Sequence, residues 1–115
     1  MRKYLGTALR NRAGNNTIRE ITTGNVAAVQ CINPDGKKQT FGPVRGNAFI
    51  IGNDLDKRQR WFIVEGWADA CSMFRTFRGT CAFAAMGSGK VMEYLAERIT
   101  EHYAPAKITL VRDAE

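Results

Sequence analysis

Two short apolar runs in this chain end in acid. Trp61-Phe62-Ile63-Val64 is closed by Glu65-Gly66, and Lys107-Ile108-Thr109-Leu110-Val111-Arg112 is closed by Asp113-Ala114-Glu115. Strands that end this way deliver carboxylates to one rim of a sheet, and in an open α/β sheet ligands sit outside the carboxyl ends of the strands. Asp113 and Glu115 lie two apart, so extended backbone points both side chains to one side, where hard oxygen ligands can hold Mg²⁺ or Mn²⁺. Glu65 would ligate such a metal through one oxygen or move a proton. Asp69, four residues further on in a first helical turn, either extends the acidic cluster or serves only as a cap and dipole residue. Magnesium usually takes one or two carboxylates together with phosphate oxygens and waters, so even this small set is sufficient in kind.

The elements that must position these acids follow from the apolar pattern. From Trp61 onward the chain reads strand, helix, strand, helix, strand. A helix is expected from about Ala68 to Arg78, with Ala70, Phe74 and Phe77 recurring at helical steps before Gly79. Thr80 to Met86 reads as a buried strand. Gly87-Ser88-Gly89 turns into a second helix with Val91, Tyr94, Leu95 and Ile99 inward and Glu93, Glu97 and Glu101 outward, ended by Ala104-Pro105-Ala106. Such alternation predicts a parallel sheet with right-handed crossovers, which puts Glu65 and Asp113 on the same rim.

The first sixty residues form a different, β-rich lead-in. Val26 to Ile32 is a strand, Asn33-Pro34-Asp35-Gly36 a turn, and Lys37 to Phe41 the returning strand. Gly46 to Gly52 is one more short strand, whereas residues 2–19 have no convincing period and Asn11 to Asn16 is polar and turn-prone. This half carries 11 Lys/Arg against 4 Asp/Glu, while residues 61–115 carry 6 against 7. Lys and Arg gain affinity for polyanions by releasing counterions from phosphate, so the basic half suits nucleic acid; a soluble basic surface with no specific partner is the plainer alternative.

The remaining composition is bounding rather than informative. At 115 residues and 44% apolar content the chain is sized for one modest core. No apolar run is long enough to span a membrane and the start lacks a signal-peptide stretch, so a cytoplasmic protein is expected. Cys31, Cys71 and Cys81 form no CxxC pair and read as reduced thiols. Gly87-Ser88-Gly89-Lys90 fails as a Walker A loop, since that pattern needs Gly at Ala84 and Ser or Thr at Val91, although the turn can lend N–H groups to a phosphate. His102 reads as a surface residue. Trp61 and the phenylalanines read as core, with Trp67, beside the acid rim, the one candidate base-stacking surface.

Phe62-Ile63-Val64-Glu65-Gly66-Trp67-Ala68-Asp69-Ala70, the glycine turn near Gly87, and Ile108-Thr109-Leu110-Val111-Arg112-Asp113-Ala114-Glu115 together resemble the Toprim domain shared by bacterial-type DNA primases, topoisomerases and some nucleases. The Glu-Gly-x-x-Asp-Ala form, and Ala28 to Lys38 as a hairpin preceding it, are similar to phage- and plasmid-type primases and primase-helicases. The resemblance spans Val26 to Glu115. It implies a Toprim-like, Rossmann-like parallel sheet with flanking helices over residues 61–115, truncated at its C-terminal side, behind a basic lead-in over residues 1–60. It further implies RNA primer synthesis on single-stranded DNA from nucleoside triphosphates, with a replicative helicase as a possible partner in the parent protein. Glu65 would be the acid/base, with Glu65, Asp69, Asp113 and Glu115 holding a weakly bound Mg²⁺ or Mn²⁺. Lys37, Lys38, Arg45 and Lys90 would meet template or nucleotide phosphates.

The departures from the family pattern are specific. Its second motif normally reads Asp-x-Asp, and Glu115, one methylene longer, stands at the second acid. The family's later helix, strand and acids are absent, so the chain is expected to be a fragment. A Toprim nuclease or topoisomerase, and a non-catalytic nucleic-acid-binding module, remain the rival readings.

Overall fold

The computed structural model describes residues 15–52, 60–77, 80–103 and 107–112. The strands are β1 (Asn15–Glu20), β2 (Val26–Ile32), β3 (Lys38–Phe41), β4 (Asn47–Gly52), β5 (Arg60–Val64), β6 (Cys81–Ala84) and β7 (Lys107–Leu110). Helix α1 (Trp67–Thr76) joins β5 to β6, and α2 (Lys90–Tyr103) lies between β6 and β7. All seven strands share one sheet, in the order β3-β2-β1-β4-β6-β5-β7.

The expected parallel sheet is present only in part. β6, β5 and β7 are parallel, with Trp61 opposite Cys81 and Ile108. β4 pairs antiparallel with β6, and β1, β2 and β3 continue antiparallel beyond it. The reason is connectivity. Parallel neighbours need a crossover such as a helix, and among the described residues before Trp61 only turns join the strands. One of these is Asn33 to Gly36, where the Gly36 N–H donates to the Asn33 carbonyl at 2.8 Å and Gly36 takes φ +87°, a conformation that favours glycine.

Strand alternation divides the core between two faces. Ala48, Ile50, Trp61, Ile63, Cys81 and Phe83 point to one side, where Met92, Leu95 and Ile99 of α2 cover them. Phe49, Ile51, Val64, Ala82 and Ala84 point to the other, beneath Ala70 and the flanking Trp67, Cys71 and Phe74 of α1. The inward stripe of α2 is therefore rotated slightly from the expected one: Met92 is buried and Val91 and Tyr94 are half-buried. Glu93, Glu97 and Glu101 are exposed as expected. Tyr103 donates its hydroxyl to the Ile21 carbonyl at 2.6 Å, tying the end of α2 to the loop after β1.

Asn15 and Asn16, turn-prone by composition, instead open strand β1, which is held between β2 and β4. Only two residue pairs join β1 to β4, and the register of β1 against β2 shifts between Ile18 and Arg19. Such a bulge strengthens the local twist of the β1-β2-β3 ribbon.

Candidate functional site

The two helices leave adjacent parallel strands in opposite directions. The loop after β5 goes to α1 on one face, and the loop after β6 goes to α2 on the other. That divergence makes a topological switch point, and the crevice outside the carboxyl ends of such strands is where open α/β sheets bind ligands. A pocket of about 310 Å³ lies here, lined by Glu65, Gly66, Trp67 and Asp69 from the first loop and helix start, Met86 and Gly87 from the second loop, and Gln30 and Lys38 from the hairpin.

Backbone hydrogen bonds hold the pocket floor. Ala85 N–H donates to the Val64 carbonyl at 2.9 Å and Met86 N–H to the Glu65 carbonyl at 2.8 Å, extending the β5–β6 ladder past both strand ends. Met86 turns there into the left-handed region at φ 62°, a conformation that costs a non-glycine residue roughly 1–2 kcal/mol. It is the one non-glycine residue with positive φ among the described residues, and it faces the pocket.

Helix α1 begins against the same space. Gly66 is its N-cap in an extended conformation, with no side-chain cap, so the first N–H groups of the helix are open to a ligand. At φ −128° glycine is not required, and a Cβ on Gly66 would meet nothing within 4 Å. Gly66→Ala is thus expected to hold its stability to within about 1 kcal/mol, weaker capping being offset by lower unfolded-chain entropy. Its methyl would narrow the pocket wall, so on the expectation from the sequence that nucleoside triphosphates bind, their affinity should fall while the melting curve stays in place. Calorimetric binding measured beside thermal melts checks this.

Of the residues that the sequence singles out, the structure brings Glu65, Asp69 and Lys38 together. Lys37 does not line the pocket; it is exposed in the turn, where its N–H donates to Asp35 Oδ1 at 3.1 Å. Arg45 stands over the Tyr94 ring at 4.8 Å, beside α2 and so across the sheet from Glu65. Lys90 is exposed at the first turn of α2, outside the pocket lining. Asp113 and Glu115 lie outside the described residues, although β7 runs parallel to β5 and Val111 N–H donates to the Ile63 carbonyl at 2.8 Å. At that end Arg112 pairs with Glu93 of α2 at 3.1 Å.

Among the described residues no three of His, Cys, Asp and Glu gather into a metal-binding group. Glu65 and Asp69 still supply two hard oxygen donors to one pocket, which fits Mg²⁺ completed by phosphate oxygens and waters. The cysteines are free thiols, and burial pushes the Cys71 thiol up from its ordinary value, with nearby Arg75 opposing the shift. A thiol so raised is a poor nucleophile at neutral pH. No helix of the described residues is long and apolar enough to cross a membrane.

Composition and periodicity gave no signal for Gln30 and Met86, because nothing local marks an amide inside an apolar strand or a left-handed methionine after one. The chain matches no protein-family model, no curated protein and no solved structure.

Proposed function

We propose that this chain is the Toprim-type, metal-dependent module of a DNA primase, acting in the synthesis of RNA primers on single-stranded DNA. One observation carries the reading: Lys38, distant in sequence from Glu65 and Asp69, lines a single pocket with them at the switch point of the sheet. Carboxylates for a divalent cation and an ammonium for phosphate are the combination that phosphoryl transfer needs. The Glu-Gly-x-x-Asp-Ala motif, which carries the resemblance to Toprim, supplies three of the residues around that pocket.

In this mechanism Glu65 and Asp69 would hold Mg²⁺, with Asp113 and Glu115 as further ligands on the strength of the motif, and the cation would supply neutralisation of the charge on the transferred phosphoryl group. Lys38 binds a phosphate oxygen as a point charge, and the open N–H groups at the start of α1 donate to another. Glu65 also takes the proton of the attacking 3′-hydroxyl when it is not engaged by metal.

Ribonucleotide incorporation opposite a single-stranded DNA template, with Mg²⁺ or Mn²⁺ supplied, tests the reading. Short RNA products are expected. Cleavage of the template without synthesis would instead identify a nuclease, and binding without either reaction a non-catalytic module. Lys38 and Lys37 give a sharper comparison within the same protein. Lys38→Ala should weaken triphosphate binding by roughly tenfold, the size of one charge-assisted hydrogen bond, and Lys37→Ala should leave it nearly unchanged. Equal losses in the two variants, read by calorimetry, would mean that the lysines act only through general charge.

A further inference from the structure

We propose that Gln30 reads the edge of a nucleobase bound in the pocket, making the hairpin a base-selecting element and not only a phosphate contact. The proposal rests on the nucleotide reading of the Glu65 site. Gln30 is 9% exposed and lines the pocket, and its Oε1, shielded from solvent in this rotamer, has no hydrogen-bond partner in the protein. Directly opposite it across the β1–β2 ladder stands Asn16, 5% exposed, whose Nδ2 also lacks a partner. Buried polar side chains are satisfied in the large majority of cases, so two unsatisfied amides side by side call for an explanation.

Packing does not provide one. On that face Gln30 is flanked along its own strand by Ala28, which is buried, and it sits beside the buried Ile18 of β1, where an aliphatic residue would incur no desolvation cost. What an amide has and an aliphatic lacks is a donor and an acceptor held side by side, and a turn about its soft terminal torsion presents both to the pocket. That pair matches the adjacent donor and acceptor on a base edge, the geometry by which Gln and Asn select bases. Trp67, partly buried on the pocket wall, offers an aromatic face on which a base can lie. The other lining groups, Lys38, Glu65 and Asp69, suit the phosphate and metal end of the same ligand. About 310 Å³ is at the small end of ligand pockets, the scale of one nucleotide unit and not of a duplex.

The base has two possible sources with the same chemistry: a free nucleoside triphosphate, or one residue of a DNA strand. The test uses the whole chain with Mg²⁺, measuring calorimetric affinity for each of the four ribonucleoside triphosphates, for inorganic triphosphate, and for single-stranded homo-oligonucleotides. The parent protein should rank the four bases. Gln30→Met, which keeps the length and removes both polar atoms, should lower affinity for the preferred base by roughly ten- to hundredfold and flatten the ranking. Inorganic triphosphate should bind it as before, and its thermal stability should hold or rise, because one unsatisfied buried acceptor is gone. Gln30→Glu, which keeps an acceptor and loses the donor, should change the order of the ranking, and serves if the Met variant folds poorly.

A ranking present only with oligonucleotides and lost in Gln30→Met upholds Gln30 and assigns the base to the DNA strand. Three results overturn the proposal: equal affinity of the parent for all bases in both ligand sets, an unchanged ranking in the variants, or an equal loss for inorganic triphosphate, which would make Gln30 structural. The first two leave the Glu65 reading standing if inorganic triphosphate binds. If the parent binds neither triphosphate nor nucleotide, both readings fall together.

Discussion

Replacing Glu65 by glutamine should lower metal-dependent nucleotide incorporation by about 10²- to 10⁴-fold, the range associated with loss of a positioned proton-transfer group. The substitution preserves shape and removes only charge and basicity. The backbone of Glu65 does the structural work at this corner, its carbonyl accepting from Met86 N–H at 2.8 Å, and glutamine retains that bond. The side chain is half-buried on the pocket wall and outside both hydrophobic clusters, so the thermal melt of the variant should overlay that of the parent. Single-turnover incorporation across a Mg²⁺ titration separates the two roles of the carboxylate. A ligand role predicts partial recovery at high Mg²⁺, and a proton-transfer role predicts none. Activity equal to the parent at ordinary Mg²⁺ would remove Glu65 from the chemistry.

Asp69 is the control that the geometry suggests. It lies in the first turn of α1, where a carboxylate stabilises the helix dipole by about 0.3–1 kcal/mol whether or not a metal is bound. Asp69→Asn that loses only this much stability, with unchanged metal dependence, would leave Glu65 as the one described carboxylate acting on the ligand.

What the sequence made legible is what is locally encoded. Trp61 to Val64, the Asn33 to Gly36 turn and the stripes of both helices carry their own periodicity, and each lands within a few residues of its expected place, except that Phe77 falls past the end of α1 and is exposed instead of completing its stripe. Strand β1 was not legible. Asn15, Asn16 and Thr17 have no apolar alternation, and they are extended because Cys31, Gln30 and Val29 of β2 supply their partners. The antiparallel half of the sheet was hidden for the same reason, since the β4–β6 pairing joins residues about thirty positions apart without any crossover signature. Within the site, a strand-end glutamate and a first-turn aspartate are visible in one dimension. The separation of Lys38 from Lys37 depends on where β3 begins, and the place of Gln30 in the pocket lining on tertiary packing; neither leaves a mark in composition.

The largest effect on stability is expected at Trp61, where truncation to alanine should cost about 3–5 kcal/mol. Its side chain is fully buried on the α2 side of β5, with ring centroids 5.3 Å from Phe83 and 5.2 Å from Tyr103. Phe83 belongs to β6, and Tyr103 reaches on to the Ile21 carbonyl, so the indole joins the centre of the parallel strands to the end of α2 and the loop after β1. Surrounding strands are held in register on both sides by Cys81 and Ile108, which leaves the cavity little means of collapsing. Domains of this size are stable by only about 5–15 kcal/mol, so the loss is a large part of the whole. Because β1 to β7 form one continuous sheet, the loss should appear as a lower urea midpoint in a single transition with an unchanged slope. Trp67→Ala should cost less, since that ring is only partly buried at the pocket edge. Two resolved transitions in Trp61→Ala, one of them at the parent midpoint, would show that the β1-β2-β3 ribbon folds independently of the strands that carry Glu65.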